Sequence, residues 1–249
     1  MKKIFLMLLL LLLALPCIAS ADEGSECMAN FYQTRNSACI SMLINELPKQ
    51  GNKINPAVLG FFAEILRSDP QERMRILKKN IPSSVKPLII EALYLAELPD
   101  EAQTYANASG FPQIVTVMQS QRLVAVSRIK PIANPADNDM LIGAYMASGN
   151  KEYIEKMLEN FSTADNGMIS DGFRLSMMQG KFGPSMVPPN RGKGIPVKAA
   201  CKKYECKKDM HNLLRVMTLS SALWAIQSLS RQDTGIKKIF ADYFGNDHR

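Results

Sequence analysis

Apolar residues recur at helical spacing almost everywhere in this chain, and that periodicity excludes most other folds. Val58, Leu59, Phe62, Ala63 and Leu66 repeat as i, i+1, i+4, i+5, i+8, which gathers them on one face of a helix. Asn55-Pro56 precedes them, a hydrogen-bonding cap followed by a residue whose fixed φ suits the first helical turn. Asp69-Pro70 repeats the device and opens a second helix, with Met74 and Leu77 expected to face inward. Leu88, Ile89, Ala92, Leu93 and Ala96 form the next stripe, broken at Leu98-Pro99-Asp100 before Ala102, Tyr105 and Ala106. Leu141, Ala144, Tyr145 and Ser148 lead to the turn Gly149-Asn150, then Tyr153, Ile154, Met157, Leu158 and Phe161. Met210, Leu213, Leu214, Met217 and Trp224 run towards Asp233, and Ile236, Ile239, Phe240, Tyr243 and Phe244 close the chain. Alternation of period two is confined to Ile114-Val115-Thr116-Val117, where length and flanks also favour a helix. The expected class is all-α, built of stacked helical hairpins in a short α-solenoid-like array.

Three hairpins share a small–aromatic–apolar centre, ALYLA, GAYMA and ALWAI, with Tyr94, Tyr145 and Trp224 as the aromatics. Their spacings are 51 and 79 residues, and the excess of 28 equals the length of segment 181–208, which alone lacks helical periodicity. The pattern reads as an array with one insertion before its last unit. Residues 141–150 resemble the first helix and turn of a tetratricopeptide repeat, in Leu141 four before the tyrosine and Gly149 four after it. Ile142 and Ile154 depart from that pattern, standing where the family has small residues. The resemblance implies stacked helices that bind protein segments on a concave face and catalyse nothing. The chain is also broadly similar to uncharacterised secreted helical proteins of bacteria.

The first residues read as a targeting signal. Lys2 and Lys3 precede an unbroken apolar run from Ile4 to Leu15, Pro16 ends it, and Ala19-Ser20-Ala21 fits a cleavage site. The run is shorter than the roughly 20 residues a membrane span needs. Lipidation at Cys17 is disfavoured, because Pro16 stands where a small residue is required. Residues 1–21 are therefore expected to be a signal peptide and 22–249 a single domain in the bacterial periplasm or outside the cell, with no transmembrane segment. In such an oxidising space Cys27, Cys39, Cys201 and Cys206 are expected to form two disulfides. Three connectivities are open, and the local pairing, Cys27 with Cys39 and Cys201 with Cys206, is the expected one. Twelve residues of straight helix span about 18 Å, so pairing of Cys27 with Cys39 requires a bend near Thr34 to Ser37. Residues five apart on a helix lie about 8–9 Å apart, too far for a disulfide. Lys202 to Glu205 should therefore turn, with the last long helix starting after Cys206.

A search for chemistry finds no constellation. Cys201, Cys206 and His211 are evenly spaced, with Asp209 nearby, but structural zinc sites use tighter spacing and four ligands. The redox spacing Cys-x-x-Cys beside a βαβ pattern is missing. Met177-Met178-Gln179-Gly180 superficially resembles part of the cleft motif of peptidoglycan-cleaving transglycosylases, yet the chain contains no Glu-Ser dipeptide to carry that catalysis. Asp137 and Asp139 read as helix-start residues. No catalytic residue, metal or cofactor is expected.

The unusual segment is 181–208. It holds eight basic residues and one acid, Glu205, in a chain of formal net charge +7. Seven glycines and prolines oppose helix formation. Lys193, Lys198, Lys202, Lys203, Lys207 and Lys208 are the candidate partner contacts, directed at an acidic protein face, anionic lipid or lipopolysaccharide. Nucleic acid is not expected, because Phe182 and Tyr204 are the only aromatics there for stacking. The expected function is a non-enzymatic secreted or periplasmic scaffold or adaptor binding a protein partner, as in an envelope or secretion assembly. The alternative is a binder of anionic membrane or lipopolysaccharide surfaces.

Overall fold

The computed structural model describes residues 23–50, 55–121, 123–130, 132, 134–172 and 210–246. Twelve α-helices can be labelled among them: α1 (Glu23–Ala29), α2 (Phe31–Thr34), α3 (Ser37–Glu46), α4 (Pro56–Ser68), α5 (Pro70–Lys78), α6 (Lys86–Leu95), α7 (Pro99–Ser109), α8 (Pro112–Ser120), α9 (Pro135–Ser148), α10 (Glu152–Glu159), α11 (Met210–Ser230) and α12 (Thr234–Asn246). Short 3-10 turns occupy Leu47–Gln50, Val126–Arg128 and Asn160–Thr163. No strand occurs among the described residues, and the protein is all-α.

Proline punctuates the middle of the chain. Each helix from α4 to α9 carries a proline in its first turn, where the missing N–H costs nothing and the fixed φ is already helical. Side-chain caps satisfy the neighbouring N–H groups. Asn55 accepts from the Ala57 N–H at 3.0 Å, and Asp69 accepts from Gln71 and Glu72 at 3.0 and 2.9 Å. Asn134 and Asp137 form a reciprocal capping box at the start of α9. The Ile114–Val117 stretch is helical, inside α8. One inward residue is corrected: Met74 is exposed, and the inner face of α5 belongs to Glu72 and Ile76, four residues apart. Leu77 is only partly buried.

At the centre stands α9. Leu141 to Ala147 are all buried, so the helix is enclosed on every side rather than along one stripe. Its partner α4 is buried from Val58 to Leu66, and the two form the most extensive helix–helix contact among the described residues. Their backbones approach so closely that a Cβ on Gly143 would lie 1.8 Å from the Ala57 carbonyl oxygen. A Cβ on Gly60 would lie 2.0 Å from that of Met140. Only glycine permits this crossing. An array in which each unit touches its neighbours alone would keep α4 and α9 apart. Here the helix pairs α6/α7 and α11/α12 are consecutive neighbours, but α9 also touches α4, α11 and the N-terminal helices.

The N-terminal helices close against the far end of α9. Cys27 and Cys39 lie at disulfide distance with Cα atoms 5.6 Å apart. The required bend falls where expected: α2 ends at Arg35 in the left-handed region (φ 49°), and α3 begins at Ser37. The Arg35 guanidinium donates to the carbonyls of Ala147 and Ser148 at 3.0 and 3.1 Å. It thus caps the electronegative C-terminus of α9 with a cation. Gly149 ends that helix at φ 73°, with no room for a Cβ beside Tyr32.

Two polar nodes, one buried and one part-buried, complete the frame. Glu64 accepts a two-pronged pair from Arg67 at 2.8 and 2.9 Å and a third bond from the Tyr153 hydroxyl at 2.6 Å, joining α4 to α10. Asp233 accepts from the hydroxyls of Tyr32 and Tyr145, joining α2 and the start of α12 to α9. Of the three repeat-centre aromatics, Tyr145 is fully buried, whereas Tyr94 and Trp224 are half-buried.

Candidate functional site

The first turns of α4 and α9, the face of α6 and the end of α8 do not meet completely. Between them lies a groove of about 540 Å³, within the usual size range of ligand sites. Leu59 and Pro56 come from α4, Leu95 from α6, Met118 from α8, and Met140 from α9. The connecting segment supplies Leu123, Val124 and Ile129. The walls are therefore mostly apolar. Leu123 and Val124 stand on the rim and remain 40% and 52% exposed, although both are large hydrophobic residues.

The rim is anchored on one side. Lys156 of α10 donates to the Ser127 carbonyl, and Arg128 pairs with Glu97. Ser127 donates to that same Glu97 at 3.2 Å, and Lys130 pairs with Glu159 at 2.7 Å. The floor is anchored by the Gly60–Gly143 crossing. Leu123 and Val124 precede this anchored stretch and are presented to solvent.

One charged group in the groove has no partner among the described residues. Glu91 lies in the middle of α6, whose neighbouring residues Ile89, Ile90, Ala92 and Leu93 are fully buried. Its carboxylate faces the groove and makes no hydrogen bond or ion pair with a described residue. Burial raises the Glu91 carboxyl above its ordinary pKa, because an apolar wall disfavours the charged form. The other charged lining groups are engaged elsewhere: Lys130 with Glu159, and Asp137 in its capping box. A second, shallower depression of about 350 Å³ lies between α5 and α7, beside Asp100, Glu101 and Tyr105. There Glu101 is paired with Arg73 at 3.2 Å.

Sequence periodicity passed over Glu91, because only the apolar members of its helix were counted. A signal was present all the same. From Pro87 to Ala96 Glu91 is the single charged residue in an otherwise apolar run. The sequence-derived candidates Cys201, Cys206, Lys193, Lys198, Lys202, Lys203, Lys207 and Lys208 lie outside the described residues, as does the whole of 181–208. Cys27 and Cys39 are brought together. His211 stands in the first turn of α11, and among the described residues no three His, Cys, Asp or Glu side chains gather at metal-binding distance. No described helix is long and apolar enough to cross a membrane. Comparison with known proteins matches this chain to no family model, no curated protein and no solved structure.

Proposed function

We propose that this protein is a non-enzymatic helical scaffold, secreted to an oxidising compartment, that holds a segment of a partner protein in the α4/α6/α9 groove. The observation that carries the reading is the groove itself: apolar walls on an anchored frame, with Leu123 and Val124 exposed at its rim. Large hydrophobic side chains held in the open favour association, because their burial removes apolar surface from water. The polar nodes at Glu64 and Asp233 are consumed in joining helices, which suits a structural rather than a chemical role for them.

Photo-crosslinking from Val124 in intact cells tests the reading, with Lys237 on α12 as the comparison position. A discrete protein adduct from position 124, lost when Leu123→Asp is added, is the expected result. Equal adducts from both positions, or none from either, would overturn it. A second reading rests on the eight basic residues of 181–208. It predicts salt-sensitive sedimentation with anionic vesicles, and salt-independent sedimentation would count against it.

A further inference from the structure

We infer that Glu91 is the specificity residue of the groove, and that the occupant is a partner segment carrying one lysine or arginine between apolar residues. The inference rests on the groove being a protein-binding site. The geometry supplies both halves of the complement. Leu59, Leu95, Met118 and Met140 form walls that accept aliphatic side chains. Glu91 places among them a carboxylate that pairs with no described residue. Lysine and arginine combine an apolar stem with a cationic head, so one such side chain would lie along the wall and end at the carboxylate. A neutral segment would bury Glu91 further without pairing it, at the cost of leaving a charge uncompensated. An acidic segment would add like-charge repulsion. The groove therefore discriminates in favour of a cation by penalising the alternatives.

The neighbouring cation does not answer the need. Lys130 lines the groove, yet its ammonium pairs with Glu159 of α10. Glu91 also has no fold-building role comparable to that of Glu64, which is tied by Arg67 and Tyr153. An unpaired carboxylate inside an apolar helix lowers stability, and such sites persist where function uses them.

The test is fluorescence anisotropy of the full-length protein with three labelled ten-residue peptides, built of Leu and Val with Ser ends. They differ only at one central position, which is Lys, Gln or Glu. The expected result is at least tenfold tighter binding of the Lys peptide than of the Gln peptide, with the Glu peptide weakest. Glu91→Gln should remove the Lys preference while retaining Gln-peptide binding, and Glu91→Lys should shift the preference to the Glu peptide. Circular dichroism of each variant checks that the helices are intact. Equal binding of the Lys and Gln peptides overturns the role of Glu91 and leaves the groove reading standing. Binding of no peptide by intact protein overturns the groove reading itself. Competition by hexylammonium as strong as that by the Lys peptide would assign the site to a small amine and overturn the peptide assignment. Self-association abolished by Glu91→Gln would assign it to a second copy, with the same consequence.

Discussion

The Tyr32 hydroxyl lies 2.7 Å from the Asp233 carboxylate, a bond between residues 201 positions apart. The same Oδ2 accepts from Tyr145 at 2.6 Å, and the two tyrosine rings are 5.1 Å apart. Oδ1 accepts the N–H groups of Gly235 and Ile236, which caps α12. One carboxylate thus joins the first described helices, the central helix and the last helix.

Burial works against ionisation of Asp233, but the bonds from Tyr145, Tyr32 and the backbone of Ile236 and Gly235 outweigh it and hold its pKa at about 2. Since the folded pKa lies below that of an unfolded aspartate, about 3.9, this stabilisation is complete above pH 4. It is lost as pH falls from there towards 2. Asp233→Asn should flatten the acid limb of stability in that window. Tyr145→Phe should cost about 1 to 2 kcal/mol at pH 7. Urea unfolding at pH 7 and pH 2.5 measures both, and an unchanged acid limb in Asp233→Asn would refute the assignment.

The α4–α9 crossing makes a steric prediction. Alanine at Gly143 or Gly60 would place a methyl about 2 Å from a backbone carbonyl oxygen, so the helices must separate. A cost of about 3 kcal/mol or more is expected, or a fall in Tm of about 6 °C or more for a chain of this size. Gly110 is the control. It ends α7 at φ 82° with open space around it, so Gly110→Ala should cost only the backbone preference of about 1–2 kcal/mol. Equal melting temperatures for Gly110→Ala and Gly143→Ala would show that the close approach is not rigid.

Reduction of the Cys27–Cys39 pair should lower stability by about 3 kcal/mol, from the entropy of a loop of this length. The segment it constrains also carries Tyr32 and Arg35, which bond Asp233 and the end of α9. Loss of the disulfide should therefore release those contacts in part. Combining Cys27→Ser/Cys39→Ser with Tyr32→Phe should cost less than the sum of the separate losses. Strict additivity in a denaturation cycle would show the two to be independent.

Glu91 should weaken the fold at neutral pH. Its folded pKa is raised by burial, so the folded state holds its proton more tightly than the unfolded chain. The Glu91 contribution to stability is then greatest at low pH and falls as pH rises through the ordinary glutamate range, about 4.3, towards the raised value. Lys130 and Asp137 also line the groove, and both are present in every variant compared. Glu91→Gln should raise Tm at pH 7 and remove that decline. A lower Tm at pH 7 would mean that the carboxylate has a structural partner.

The all-α class and most helix starts were legible because they depend on local rules. Asn55-Pro56 and Asp69-Pro70 announce caps that need no knowledge of the rest of the chain. The bend between Cys27 and Cys39 was legible for a related reason, since chain geometry forbids the pair without it. The inner face of α5 was misread at Met74, because nine residues offer too few turns to fix which stripe is buried. Glu72 faces inward there with its carboxylate paired to Arg75 at 2.6 Å, so a charge took a place that hydrophobicity would have assigned to methionine.

The groove was not legible, because its walls come from residues up to 84 positions apart, Pro56 to Met140. Hydrophobic periodicity records that a residue is apolar, not whether its neighbour covers it. The sequence alone determined an all-helical chain with capped starts, a constrained N-terminal bend and a basic segment at 181–208. Tertiary structure alone decided that α4 and α9 cross at two glycines, that Asp233 gathers two tyrosines, and that Glu91 faces an apolar groove without a partner among the described residues. The reason is physical: helix formation is set by bonds between residues about four apart, whereas close approach, charge pairing and uncovered surface depend on which distant faces meet.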